Sequence, residues 1–280
     1  MEIRSGANPR DVKLYDTERL RNDFLIQDTF VVDEIKTVYS QIDRIIAGTA
    51  TPVSKTLLLE AGDELRAKYF LERREMGVIN LGGTGTLTLD GQAYTLKYRD
   101  GIYVGMGTKV ISFKSEDGKT PAKFYFNSAP AHMTYPTVFI DPNKDIKPEN
   151  KLELGTLEDA NHRILRKYIL PGQVESCQLE MGITSLEPGS VWNTMPCHTH
   201  DRRMEVYLYF EVPENALVFH YMGEPSETRH IIMRNEEAVI SPSWSIHSAS
   251  ATHAYSFVWG MVGENQAFDD MDAVQMKDLK

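Results

Sequence analysis

From Ser54 onward the chain is written in short runs of alternating apolar and polar residues, and that rhythm restricts it to a mainly β fold. KTLLLE, KYFLE, GVINLGG, GTLTLDG, QAYTL, GIYVGMG, KVISF and AKFYFNSA follow one another between residues 55 and 129. On a strand, neighbouring side chains point to opposite faces, so each run builds one core face and one outer face. Glycines and Asp-Gly pairs punctuate the runs, and LTLDGQ (87–92) is a clear hairpin signal.

The rhythm stops over 140–152, IDPNKDIKPENKL, a charged and proline-bearing stretch of linker composition. Order resumes with NHRILRKYI, then SCQLEMGITSL, MEVYLYFEV, LVFHYMG, RHIIMRN, EAVISP and AYSFVWGMVGE. The reading is an N-terminal half over 1–139, a linker over 140–160 and a C-terminal half over 161–280. Two antiparallel halves of paired hairpins imply tandem double-stranded β-helix (jelly-roll) domains. Helices are few. TERLRNDFL (17–25) reads as a short helix and FVVDEIKTVY (30–39) as a strand, while the polar tail AFDDMDAVQMKDLK reads as a short helix or an interface arm.

The 280 residues are ample for two cores. A net charge of −10 without a basic stripe argues against nucleic acid. No apolar run approaches the length of a membrane span. The N-terminal residues lack the basic start and apolar centre of a signal peptide. Two cysteines, Cys177 and Cys197, are too few for a disulfide framework and fit small core residues in a reduced cytoplasm.

The chemistry concentrates in CHTHDRRMEVY (197–207) and SPSWSIHS (241–248). His198 and His200 share a strand face, with Cys197 and Thr199 on the other. A turn at 201–203 leads to a strand whose Glu205, Tyr207 and Tyr209 share a face. His247 follows in a second β segment. Three imidazoles and one carboxylate make a complete ligand set for a divalent transition metal. Cys197 points off that face and is not counted. The two halves also align faintly. Laying ArgArgMet (202–204) on ArgArgGluMet (73–76) with one offset sets Gly77 opposite Glu205, Phe70 and Glu72 opposite His198 and His200, and Val110 opposite His247. A duplicated domain whose first copy has lost its ligands follows.

His-x-His-x4-Glu followed by Pro-x-x-x-x-His resembles the two metal motifs of the cupin superfamily. Val212 and Pro213 stand where the first motif usually ends in glycine, and Trp244 where the second usually has one. The strings LRNDFL, YFLERREMGVINLGG, PAKFYFNSAPAHMTYPT, NTMPCHTHDRRMEVY, AVISPSWSIHS and WGMVGENQAFDDMD resemble the 5-keto-4-deoxyuronate isomerases over nearly the whole length. That resemblance implies a cytoplasmic two-cupin subunit of pectin breakdown, assembled as a homohexamer and acting on a small uronate. It also implies one zinc ion in the C-terminal cupin, carried on His198, His200, Glu205 and His247.

An aldose–ketose isomerisation needs an electrophile on the carbonyl oxygen and a group that moves the α-hydrogen. Proton transfer through an enediol and a hydride shift both remain open. His230, Tyr207 and Tyr209 are the candidate bases. Arg203 and Arg229 are the candidates for the substrate carboxylate, because a planar guanidinium matches that group. His132 and His162 lie near turns, His253 reads as exposed, and His220 reads as a satisfied core histidine. Two rival readings stand beside the isomerase: an iron(II) cupin dioxygenase, and a non-catalytic sugar-binding cupin.

Overall fold

The alternating runs pair into two sandwiches of the same plan. The structure is a computed structural model that describes residues 1–264 and 266–280. In the first half a seven-stranded sheet runs in the order Glu2–Arg4, Ile35–Ser40, Ile46–Ala50, Phe124–Pro130, Arg74–Asn80, Gly101–Val104, Val138–Ile140. A four-stranded sheet, Leu57–Leu58, Ile111–Ser115, Gly85–Leu89, Gln92–Leu96, completes it. The second half repeats the plan. Its seven strands are Lys151–Leu154, Arg163–Ile169, Leu179–Leu186, Ser256–Gly263, Arg203–Phe210, Ala238–Ser241 and Leu25–Ile26. Its four are Trp192–Asn193, Ser248–Ala251, Val218–Glu224 and Glu227–Met233. Such paired sheets are the jelly-roll, or cupin, architecture expected from the sequence.

The N-terminal segment crosses between the halves. Glu2–Arg4 pairs in parallel with Val38–Ser40 of the first sheet. The helix Thr17–Phe24, capped by Asp16 accepting from the Arg19 N–H at 2.9 Å, buries Leu20 and Phe24. Phe24 meets Trp244 edge-on, with ring centroids 6.5 Å apart. Leu25–Ile26 then extends the second half's sheet against Ala238 and Val239. This segment docks on a sheet more than 200 residues downstream, which no local pattern announces. Within 140–160, read as linker from composition, a 3₁₀ turn at Pro148–Asn150 leads into the strand Lys151–Leu154, paired with Arg163–Arg166.

The repeat is real in register, but its alignment differs from the sequence-based one. Arg74 and Arg203 are buried arginines that each open a central strand. Met76 pairs with Val104, the last residue of its neighbouring strand, and Glu205 pairs with Ser241, the last of its own. Met76, not Gly77, therefore stands opposite Glu205. The pleat explains why. Met76 belongs to the interior core of the first half with Phe70, Leu71, Phe113, Phe124 and Phe126. Gly77 points outward to the other half, where an added Cβ would lie 2.5 Å from Ile169 Cδ1. The first barrel is thus filled by hydrocarbon where the second opens into a polar site.

A buried carboxylate ties the halves together. Glu75, fully buried, accepts from the backbone N–H groups of Cys177, Gln178 and Leu179 at 2.7–2.8 Å and from the Tyr103 hydroxyl at 2.7 Å.

Candidate metal centre

Four side chains from three chain segments converge on the inner face of the second barrel. His198 stands in the two-residue strand His198–Thr199 and His200 just after it. Glu205 stands in Arg203–Phe210, hydrogen-bonded on both sides, where it pairs with Met261 and Ser241. His247 follows a turn closed by Ser245 N–H donating to the Pro242 carbonyl. The Nε2 atoms of His247 and His198 are 2.9 Å apart. Glu205 Oε2 lies 3.0 Å from His247 Nε2 and 3.5 Å from His200 Nε2. Exposure is 2% at His200, 4% at Glu205 and 1% at His247, so water does not compete for them.

The electrostatics suit a cation. Burial first, then the neighbouring His247, drives the His198 pKa down to about 2, so this imidazole stays neutral. Burial alone would raise the Glu205 carboxyl, but His247 and His200 outweigh it and hold the group below the usual carboxylate range. His200 Nδ1 lies 2.9 Å from the Arg203 carbonyl, a contact that directs its Nε2 lone pair into the cluster. That buried Nε2 has no hydrogen-bond partner among the described residues. Buried polar atoms are seldom left so. The three histidines offer ligand atoms within 4.8 Å of one another and could hold a metal ion. With Glu205 beside them, the donors present fit a borderline divalent metal of the zinc or iron type.

The cluster forms one wall of a cavity of about 250 Å³. Around it stand Arg163, Thr184, Thr194 and Tyr207 among apolar side chains that include Leu154, Leu165, Phe257, Trp259 and Met261. Burial followed by the Glu205 charge raises the pKa of the Tyr207 hydroxyl well above the ordinary value. Phe268 and Met271 close the cavity from the C-terminal segment. That segment is held by pairing of Asp272–Ala273 with His198–Thr199 and by Arg202 Nη2 donating to Asp270 Oδ1 at 2.9 Å. Within the subunit the tail is thus a strap, with a 3₁₀ turn at Met276–Asp278.

The other sequence candidates divide. Tyr207 lines the cavity. Tyr209 is buried behind it, 2.8 Å from His220 Nδ1. His220 is only half satisfied, since its Nε2 has no partner among the described residues. His230 is exposed on the outer face of its sheet, beside Phe219 at 5.9 Å between centroids. Arg229 is also away from the cavity and fastens the N-terminal segment by donating to the Lys13 and Tyr15 carbonyls at 2.8 and 2.6 Å. Arg203 lines the cavity, but its Nη atoms are committed to Glu180, 3.2 Å, and to the Ala267 and Phe268 carbonyls, 2.8 Å each. Arg163, Thr184 and Thr194 escaped the sequence reading. The signal for Arg163 was a cation alternating with Leu165 on the inward face of RILRKYI.

Comparison with known proteins follows the same line. Residues 25–277 match the model of the KduI/IolB family. The chain is 75% identical over 280 residues to a 4-deoxy-L-threo-5-hexosulose-uronate ketol-isomerase of Lachnospira eligens, covering all of both chains. It is 56% identical over 282 residues to the enzyme of that name from Escherichia coli SE11, again covering all of both chains. An IolB-like protein from Salmonella typhimurium LT2 shares the fold, with a TM-score of 0.69 at 13% identity over 90% of this chain and 96% of the other. The Mn(II)-bearing oxalate decarboxylase of Bacillus subtilis does so with a TM-score of 0.52 at 9% identity, over 81% and 70%.

Proposed function

The chain belongs to the KduI/IolB family, and we propose that it is a metal-dependent ketol-isomerase of 4-deoxy-L-threo-5-hexosulose uronate. The product is 3-deoxy-D-glycero-2,5-hexodiulosonate, and the setting is uronate breakdown in the cytoplasm. The resident ion is zinc, on His198, His200, Glu205 and His247, and the subunits assemble as a homohexamer. The observation that carries the reading is the convergence of those four donors, three of them buried, on one cavity. Full-length relatives at 56–75% identity bearing the isomerase name support it.

The reaction exchanges a C1 aldehyde and C2 hydroxyl for a C1 hydroxyl and C2 ketone, with no net oxidation. Bound zinc would supply Lewis acidity for the carbonyl oxygen without redox chemistry. The protein supplies the rest. Glu205 and the three imidazoles would hold the ion against one wall, and the carbonyl of Arg203 orients His200. Tyr207 lines the same space, and its hydroxyl can donate a hydrogen bond to a substrate oxygen. The apolar wall and the C-terminal strap, through Phe268 and Met271, line the space around a reacting aldehyde.

The test is incubation of the purified protein with 5-keto-4-deoxyuronate in deuterated water, following the aldehyde by NMR. Loss of the aldehyde with growth of the diulosonate is expected. An unchanged spectrum with metal-loaded protein would sink the reading. Deuterium at C1 of the product would favour proton transfer over a hydride shift.

A further inference from the structure

We propose that Arg163 receives the carboxylate of the uronate, an inference that rests on the function proposed above. Arg163 opens the strand Arg163–Ile169, where it pairs with Leu186 on one side and Leu154 on the other. Its side chain enters the cavity that holds His198, Glu205, Tyr207 and His247. The guanidinium is under-committed. Among the described residues its hydrogen bond runs from Nη1 to the Asn161 carbonyl at 2.8 Å, and no carboxylate lies within ion-pair distance. Burial holds its pKa below the ordinary arginine value, the mark of a cation without compensation. A partly buried charge is costly unless paired. An anionic ligand would supply the missing partner.

The other cationic groups are more fully committed, although the buried Arg203 Nε has no hydrogen-bond partner among the described residues. Arg203 is bound to Glu180 and two carbonyls. Lys167, on the same strand, lies over the Phe268 ring at 4.0 Å. Glu205 is the one carboxylate lining the cavity among the described residues, and it faces the histidines. Leu154, Leu165 and Phe257 make the surroundings of Arg163 apolar, where a charge-assisted bidentate bond is stronger than in water. The cavity therefore has two poles: a metal-ligating wall for the carbonyl end, and a planar fork for the acid end.

The experiment uses the full-length, metal-loaded protein and the C1-reduced uronate, which keeps the carboxylate but cannot isomerise. Calorimetric Kd is measured for wild type, Arg163→Met, Arg163→Gln and Arg163→Lys, with metal content and circular dichroism as controls. Met and Gln should weaken binding roughly 10–100-fold, and Lys should recover part of it. The corresponding ligand with C6 reduced to a primary alcohol should bind wild type and Met variant alike. Affinity for the C1-reduced uronate within about 2-fold of wild type in whichever of Met and Gln folds would overturn the assignment while leaving the isomerase intact. Absence of turnover of the parent uronate by wild type would overturn both.

Discussion

Met76 and Glu205 occupy equivalent places in the two barrels, each on the inner face of its central strand and paired with the last residue of its neighbour. One is surrounded by hydrocarbon and the other by imidazoles. The first barrel shows that this position houses a methionine without loss of fold. Glu205→Met should accordingly stay folded by far-UV circular dichroism yet lose metal by mass spectrometry. Turnover should fall by more than the roughly 10–100-fold that removing an outer partner of a ligand costs. Retained metal and turnover would remove Glu205 from the ligand set.

Stripping the ion should act on stability as well as on rate, because a ligand that binds only the folded state raises its stability. Chelator-treated protein should melt lower than untreated protein and should lose activity, as should His200→Ala and His247→Ala. Zinc added back should restore both melting temperature and rate. Restoration by iron(II) but not by zinc would replace zinc as the resident metal.

The candidate ligands His198, His200 and Glu205 were legible because they sit close in sequence on or beside strands, where a period of two decides which side chains meet. Glu205 and Tyr207 share a face for that reason, and His198 and His200 come together by the same spacing. Arg163 was legible only in part, as a cation on the same strand face as Leu165. It reaches the site from a strand opening 35 positions before His198. Only the pairing of Lys151–Leu154, Arg163–Ile169 and Leu179–Leu186 turns it inward. The docking of Leu25–Ile26 on the second barrel and the strap formed by Asp272–Ala273 are likewise long-range pairings with no local signature. The one-residue error in the internal alignment arose because ArgArgGluMet and ArgArgMetGlu invite matching by residue type. The pleat fixes register by face, and a single step exchanges Met76 for Gly77.

Tyr207 is the hydroxyl on the reacting side of the cavity. Tyr207→Phe keeps the ring between Phe257 and His247, at centroid distances of 4.6 and 5.7 Å, and removes only the oxygen. The variant should keep its metal and its KM within a few-fold while kcat falls on the order of 10²-fold, the scale of a lost proton-donating group. Unchanged kcat would reduce Tyr207 to packing.

Glu75 is a structural counterpart at the joint between the halves. Truncating it leaves the amides of Cys177, Gln178 and Leu179 and the Tyr103 hydroxyl without their acceptor. Glu75→Ala should cost about 3–5 kcal/mol, the range for breaking a buried charged network. It should be read as a fall in urea midpoint with the metal still bound at low denaturant. A loss under about 1 kcal/mol would mean that water replaces the carboxylate.

Asp33 offers a pH-resolved test of a turn remote from the site. Its Oδ1 accepts the N–H groups of Val53 and Ser54 at 2.8 Å each, and Oδ2 accepts the Ser54 hydroxyl. The Ser54 hydroxyl first, then those N–H groups, lower its pKa from 3.8 to about 2. The folded state favours the charged form, so the contribution is complete above about pH 4 and disappears as the pH falls through about 2. Asn tolerates the positive φ of 58° and keeps one acceptor oxygen, but not the charge. Asp33→Asn should therefore unfold at lower urea than wild type at pH 7, with the gap closing between pH 4 and pH 2. A gap of constant size across that range would assign the loss to geometry and not to the charge.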